Sequence, residues 1–107
     1  MAGYVLFHYN IIDRARIDEL GPMSAPIVEN YQGELIVASP VKPVKGSTPY
    51  ASMVMYKFSS FETALAFYHS PEMTELATCR NQVIEGFATV RPGHSETATV
   101  VASGYFE

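Results

Sequence analysis

The sequence is poor in several residue types that carry chemistry. Its 107 residues include one cysteine, which excludes an internal disulfide and predicts a reducing compartment. Seven lysines and arginines stand against eleven acidic residues, so the net charge is −4, and the basic residues are scattered. Because nucleic acid and anionic membranes bind to a clustered basic face, neither partner is predicted.

The chain also lacks a long apolar run. Its first twelve residues, MAGYVLFHYNII, are apolar, but they have no basic flank, no small-residue cleavage site and too little length to cross a bilayer. They predict a strand, and the protein is expected to be cytoplasmic. The sequence shows no metal-ligand cluster, phosphate-binding loop or nucleophile beside a base, so no cofactor and no metal are predicted.

What the chain does have is a large apolar share for its length. Hydrophobic residues make up 48% of the sequence and charged residues 17%. A single domain of this size leaves much of its surface in water after folding. Contact with a second copy would cover part of that surface, so a homodimer is predicted.

The stretch FSSFETALAFYHSPEMTELATCR predicts two short helices. Ser59 and Glu62 match a capping box, which predicts a helix start near residue 60. Ser70 and Pro71 then match the start of a second helix, with the proline at a position where its missing amide costs nothing. Apolar residues follow at helical spacing in both, and Arg80 lies on the apolar face of the second.

The remaining pattern completes a small α+β fold. Strands are predicted over residues 3–12, 34–39, 50–58 and 85–90. Asp13 is predicted to cap a helix that is interrupted at Pro22 and Pro26 and ends at Gly33. The order β-α-β-β-α-β is typical of the ferredoxin-like arrangement, an antiparallel sheet with both helices on one face. The uncovered sheet face is a second reason to expect a dimer.

Two segments fall outside this pattern. Residues 39–49, which contain three prolines and two lysines, form either a plain connection or a lid over a ligand. The tail, residues 95–107, has strand propensity over residues 97–102 and is predicted either to fray or to add an edge strand to this chain or to a partner. The main domain is therefore predicted over residues 1–94.

Several of these features together resemble a known family. The spacing of Asp13, Tyr31 and Gly33, and the run FSSFETALAFYHSPE with Arg80 downstream, are similar to the bacterial family called domain of unknown function thirteen-thirty. The resemblance covers residues 2–91. It implies a dimeric α+β barrel, in a superfamily with antibiotic-biosynthesis monooxygenases, muconolactone isomerase and haem-degrading or haem-binding proteins. It implies no agreed activity.

Four residues are candidates for a site. His8, in the first strand, is the candidate catalytic residue, because a histidine facing a cavity could act as a base; the alternative is a histidine that only lines the core. Tyr56, Tyr68 and Arg80 are candidate ligand-binding residues of the same cavity. The Arg80 guanidinium could hold a carboxylate through two parallel hydrogen bonds.

Three functions stay open, and whether the protein is an enzyme stays open with them. The favoured one is binding of a small apolar or aromatic molecule in a cavity between the sheet and the partner. The second is a cofactor-independent isomerase or monooxygenase in which His8 moves a proton. The third is an interaction protein whose tail adds a strand to another chain.

Overall fold

Four strands form one antiparallel sheet with helices packed on one face. The structure is a computed structural model that describes residues 2–106. In chain order the elements are β1 (Gly3–Ile11), α1 (Ile17–Asn30), β2 (Glu34–Pro40), β3 (Ser52–Phe58), α2 (Phe61–Tyr68), α3 (Pro71–Val83), β4 (Ile84–Pro92) and α4 (His94–Ala102). The strands lie in the order β2-β3-β1-β4, and each neighbouring pair is antiparallel. This confirms the predicted ferredoxin-like α+β fold.

The central strand β1 separates the two faces of the sheet. Successive side chains of a strand point to opposite faces. Val5 and Phe7 point towards the helices, where they are buried in the core with Phe58 and Phe67. The core therefore lies between the helices and one face of the sheet, while His8 belongs to the other face.

Two prolines lie inside α1 without breaking it. The sequence predicts a kink or a break at these prolines; the helix continues through Pro22 and Pro26, so a break is wrong. Both prolines are exposed and lie four residues apart, so the carbonyl groups that lose an amide partner face water. Between them, the Ser24 hydroxyl donates to the carbonyl oxygen of Leu20 at 2.8 Å, which adds a hydrogen bond on the buried side.

Three helix starts test the predicted caps. α1 begins without a side-chain capping bond, so the predicted cap at Asp13 is wrong; the amide of this residue bonds to the end of α3 instead. The capping hydroxyl of α2 belongs to Ser60, which accepts from the amide three residues on at 3.1 Å, one position after the predicted Ser59. Ser70 caps α3 ahead of Pro71, as predicted.

The C-terminal tail forms the helix α4, so the prediction of an edge strand there is wrong. The Gly93 amide donates to the Ala2 carbonyl at 2.6 Å and turns the chain away from the sheet edge. Glu96 Oε2 then accepts from the Phe61 amide at 3.1 Å, and the ring of Tyr105 meets that of Phe61 edge-on at 5.0 Å. These contacts outweigh a strand propensity that is weak on its own. The tail packs on α2 and is not presented as a free strand.

The adjacent serines before α2 give a direct test of the cap. Ser60→Ala is expected to lower the free energy of unfolding by about 1 kcal/mol, because an amide at the start of α2 loses its acceptor. Ser59→Ala is the matched control; this residue is exposed, and its replacement is expected to change that free energy by less than about 0.5 kcal/mol. Urea denaturation followed by circular dichroism measures both. Equal losses in the two variants would contradict the assignment of Ser60.

Candidate functional site

A cavity of about 210 Å³ lies between α1, α3 and the helix-facing side of the sheet. We call it the helix-side cavity. Its walls are mostly apolar and include Ile17 and Leu20 from α1, Leu76 from α3, and Phe7 and Val54 from the sheet. A concave apolar pocket with a few polar groups is the usual form of a small-molecule site.

Two hydroxyl groups meet in the wall of this cavity. Ser24 Oγ and the Tyr56 hydroxyl lie 3.4 Å apart. The Ser24 hydroxyl lies closer to the carbonyl oxygens of Leu20 and Gly21, at 2.8 and 3.2 Å, which favours Tyr56 as the donor between the two hydroxyls. The phenolic oxygen of Tyr56 therefore keeps its capacity to accept a hydrogen bond.

Arg80 is the charged residue that lines the helix-side cavity. It is half-buried on α3, and its guanidinium carbon lies 5.2 Å from the centre of the Phe7 ring. Among residues 2–106 the one ion pair joins Arg16 and Glu19. Within that range, Arg80 thus has an aromatic neighbour but no carboxylate partner.

A second cavity of about 200 Å³ adjoins the first on the side of β4, and we call it the edge cavity. Arg80 lines both cavities, and Tyr68 lines the edge cavity. The ring centres of Tyr68 and Tyr56 lie 6.1 and 6.4 Å from that of Phe7. The structure therefore brings the three candidate ligand-binding residues together around Phe7. The sequence pattern does not single out Phe7, although the alternation of β1 predicts that it lies on the sheet face opposite that of His8.

His8 occupies a different position. It borders the edge cavity, but its ring stacks on that of Phe87, with the ring centres 5.0 Å apart, on the face of the sheet that points away from the helices. Among residues 2–106 no side chain forms a hydrogen bond with the His8 ring that would fix its tautomer. Its role as a catalytic base stays a prediction.

Cys79 is a half-buried thiol on α3. Arg16 Nη2 donates to its Sγ at 3.2 Å, and Arg16 Nη1 donates to Gln82 at 3.0 Å. Arg80 is the next residue along the chain, but the basic side chain that contacts this thiol is that of Arg16, at the start of α1. Neither Cys79 nor Arg16 lines the two cavities.

The connection between β2 and β3 is fixed at its far end by Asn10. The side-chain amide of Asn10 donates to the Pro49 carbonyl at 2.8 Å and accepts from the Ala51 amide at 2.9 Å. Lys42 and Lys45 are exposed and line neither cavity. These lysines therefore give no support to the interpretation of this connection as a lid over a ligand.

Two kinds of feature are absent from the part of the chain that the structure describes. Histidine, cysteine and acidic side chains within residues 2–106 do not gather in threes as metal ligands would. No helix in the same range is both long enough and apolar enough to span a membrane.

Tyr9 adds a third hydroxyl to the helix-side cavity. Burial raises the pKa of Tyr9 above its ordinary value of 10.0; a hydrogen bond with Ser52 lowers it, and nearby Tyr56 raises it. Desolvation is the largest of these effects, because it disfavours the charged phenolate. Tyr9 thus presents a neutral hydroxyl to the cavity at physiological pH.

The raised pKa of Tyr9 predicts a pH dependence of stability. The folded chain keeps the Tyr9 phenol protonated to a higher pH than the unfolded chain does. The contribution of Tyr9 to the free energy of unfolding is therefore complete below about pH 10 and is lost as the pH rises through the pKa that Tyr9 has in the folded chain. Tyr9→Phe is therefore expected to show a shallower alkaline decline of the urea midpoint than the wild type. Tyr105→Phe, at an exposed tyrosine, is the control and should follow the wild type. Coinciding declines for wild type and Tyr9→Phe would be evidence against this role of burial.

Several solved structures are similar to this one. A protein of unknown function from Rhodopseudomonas palustris aligns with a TM-score of 0.67 at 12% identity, over 86% of this chain and 82% of that one. SnoaB, a cofactor-independent oxygenase from Streptomyces nogalater, aligns with a TM-score of 0.63 at 6% identity, over 87% and 93%. A dabb family protein with a ferredoxin-like fold from Mesorhizobium loti aligns with a TM-score of 0.53 at 6% identity, over 86% and 96%. At such low identities the similarity concerns the fold alone.

The comparison of sequences is more specific. Among curated proteins, no sequence matches this chain. The family described as domain of unknown function DUF1330 matches residues 2–103, which extends the resemblance through α4 and most of the tail. Because the match to this family spans nearly the whole described chain, and the sheet has the ferredoxin-like order that the resemblance implies, the protein belongs to the DUF1330 family.

Proposed function

We propose that this protein forms a homodimer and binds a small apolar or aromatic molecule in the helix-side cavity. The observation that carries the proposal is the cavity itself, in which apolar walls from several elements surround a few polar groups. Those groups are the hydroxyls of Tyr9, Ser24 and Tyr56 and the guanidinium of Arg80. We place the ligand on the helix side of the sheet, not between the sheet and the partner, because Tyr56 points from the sheet towards the helices and Arg80 reaches from α3 over Phe7 of the sheet.

The size of the cavity supports a small ligand. An apolar cavity of about 150 Å³ is large enough to hold benzene. The helix-side cavity, at about 210 Å³, fits one aromatic ring with a short substituent. The rings of Phe7 and Tyr56, which stand nearly perpendicular at 87°, offer the edge and face contacts that aromatic ligands prefer.

The opposite face of the sheet supports the homodimer. We call it the open face; its side chains include Leu6, His8, Met53, Met55 and Phe87. Phe87 is 49% exposed, and the neighbouring methionines are partly exposed. An apolar face of this kind is typical of an interaction surface, and a second copy can cover it through a two-fold axis.

Filling the cavity tests the binding site. Ala38 is an exposed residue of β2 that lines the helix-side cavity, so Ala38→Phe is expected to place a ring in the cavity and abolish ligand binding. Ala66→Phe, at an exposed position on α2 outside the cavity, is the matched control. Saturation-transfer NMR with phenol and benzyl alcohol as probes measures the effect. The binding site would be refuted if neither probe bound to the wild type, or if both bound equally well to Ala38→Phe.

A charge on the open face tests the homodimer. Phe87→Lys is expected to convert the dimer to a monomer, because a lysine would have to lose its water at the interface. Val44→Lys is the control, since this valine is 94% exposed in the connection between β2 and β3. Sedimentation velocity at micromolar concentration gives the subunit number. A monomeric wild type, or a Phe87→Lys variant that remains dimeric, would count against the proposal.

A cofactor-independent isomerase or oxygenase is the second candidate function. The fold similarity to SnoaB favours it, but only as an analogy between folds. It ranks second because the His8 ring lies on the open face, away from Tyr56 and Ser24. A turnover that persisted in His8→Ala would remove His8 from any such mechanism.

A further inference from the structure

We propose that the ligand is a small aromatic monocarboxylate whose carboxylate group pairs with Arg80. This inference rests on the proposed function, since it assumes that the helix-side cavity is the binding site. To the proposed function it adds the sign of the ligand's charge, the number of charges and the residue that binds the charged group.

The first step is the unpaired charge of Arg80. Arg80 is half-buried, and the contact of its guanidinium with Phe7 offsets only part of the cost of leaving water. Arg16 shows the contrast: it has an ion pair with Glu19 and a hydrogen bond to Gln82. Among residues 2–106 nothing neutralises Arg80 in this way, so an anionic ligand would supply the missing partner.

The second step is the number of charges. Of the residues that the structure describes, Arg80 is the one charged residue that lines the helix-side cavity, and the other polar residues there carry neutral hydroxyls. A ligand with two negative charges would find one cation, Arg80, for both of them among the described residues of this cavity. A single carboxylate matches the planar fork of one guanidinium, which can donate two parallel hydrogen bonds to it.

The third step is the rest of the ligand. The remaining walls are apolar side chains, with the Phe7 ring beneath the guanidinium. A ring attached directly to the carboxylate would lie against these walls while the carboxylate meets Arg80. A benzoate-sized molecule therefore satisfies the volume, the charge and the apolar surface together.

A matched pair of probes tests the charge without any substitution. Benzoate and benzamide have nearly the same shape, but only benzoate is an anion near neutral pH. Titrations followed by amide chemical shifts are expected to show at least about tenfold tighter binding of benzoate, because hydrogen bonds to a charged partner are the stronger ones. Equal affinities would overturn the carboxylate proposal while leaving the cavity as a binding site. Failure of both probes, and of phenol, to bind would overturn the cavity as well.

Substitution of Arg80 tests the residue. Arg80→Gln is expected to weaken benzoate binding by about tenfold to a hundredfold and to leave benzamide binding within about twofold. Arg14→Gln, at an exposed arginine that lines neither cavity, makes the same change in net charge and should behave as the wild type. Arg80→Lys keeps the positive charge but loses the planar guanidinium that donates two parallel hydrogen bonds. Its affinity for benzoate is expected to lie between those of the wild type and Arg80→Gln. If Arg80→Gln does not fold, Arg80→Lys is the test of Arg80. The role of Arg80 would be overturned if Arg80→Lys bound benzoate as tightly as the wild type does, or if it lost as much affinity for benzamide as for benzoate.

Discussion

The alternation of side chains along β1 is the constraint on which the rest of the structure depends. This strand is hydrogen-bonded on both sides, to β3 and to β4, so its side chains cannot change face without breaking two sets of pairs. Phe7 therefore lies under the helices, where Tyr56, Tyr68 and Arg80 surround it, and His8 lies on the open face. One strand provides both the floor of the candidate site and part of the proposed dimer interface.

Sequence patterns predicted the parts of the fold whose signals are local. The strand alternation, the Ser70-Pro71 helix start and the order of elements needed no knowledge of distant contacts. Tyr56, Tyr68 and Arg80 could be assigned to a common site because strand and helix periodicity indicates which face a residue occupies. The pairs across elements could not be predicted in this way: Tyr56 with Ser24 and Arg16 with Cys79 join residues 32 and 63 positions apart.

Two of the wrong predictions share a physical cause, which is that tertiary contacts decided between local alternatives. Both Ser59 and Ser60 could cap α2; Phe58 is buried in the core at the end of β3, and Ser60, in an extended conformation, is the last residue before the helix. Residues 97–102 have strand propensity, but the bond from Glu96 to α2 favours a helix there. In both cases the deciding contact involves another element of the fold.

The shallow attachment of α4 has a consequence for the dynamics of the molecule. None of the residues that the structure describes in α4 is buried, and one carboxylate, Glu96, and the rings of Tyr105 and Phe106 hold the tail to α2. Elements with few buried contacts open at a lower free energy than the core does. Amide hydrogens of α4 would then exchange with solvent while the sheet stays intact. The first turn of α2 would become accessible in the same opening, since Glu96 leaves together with α4.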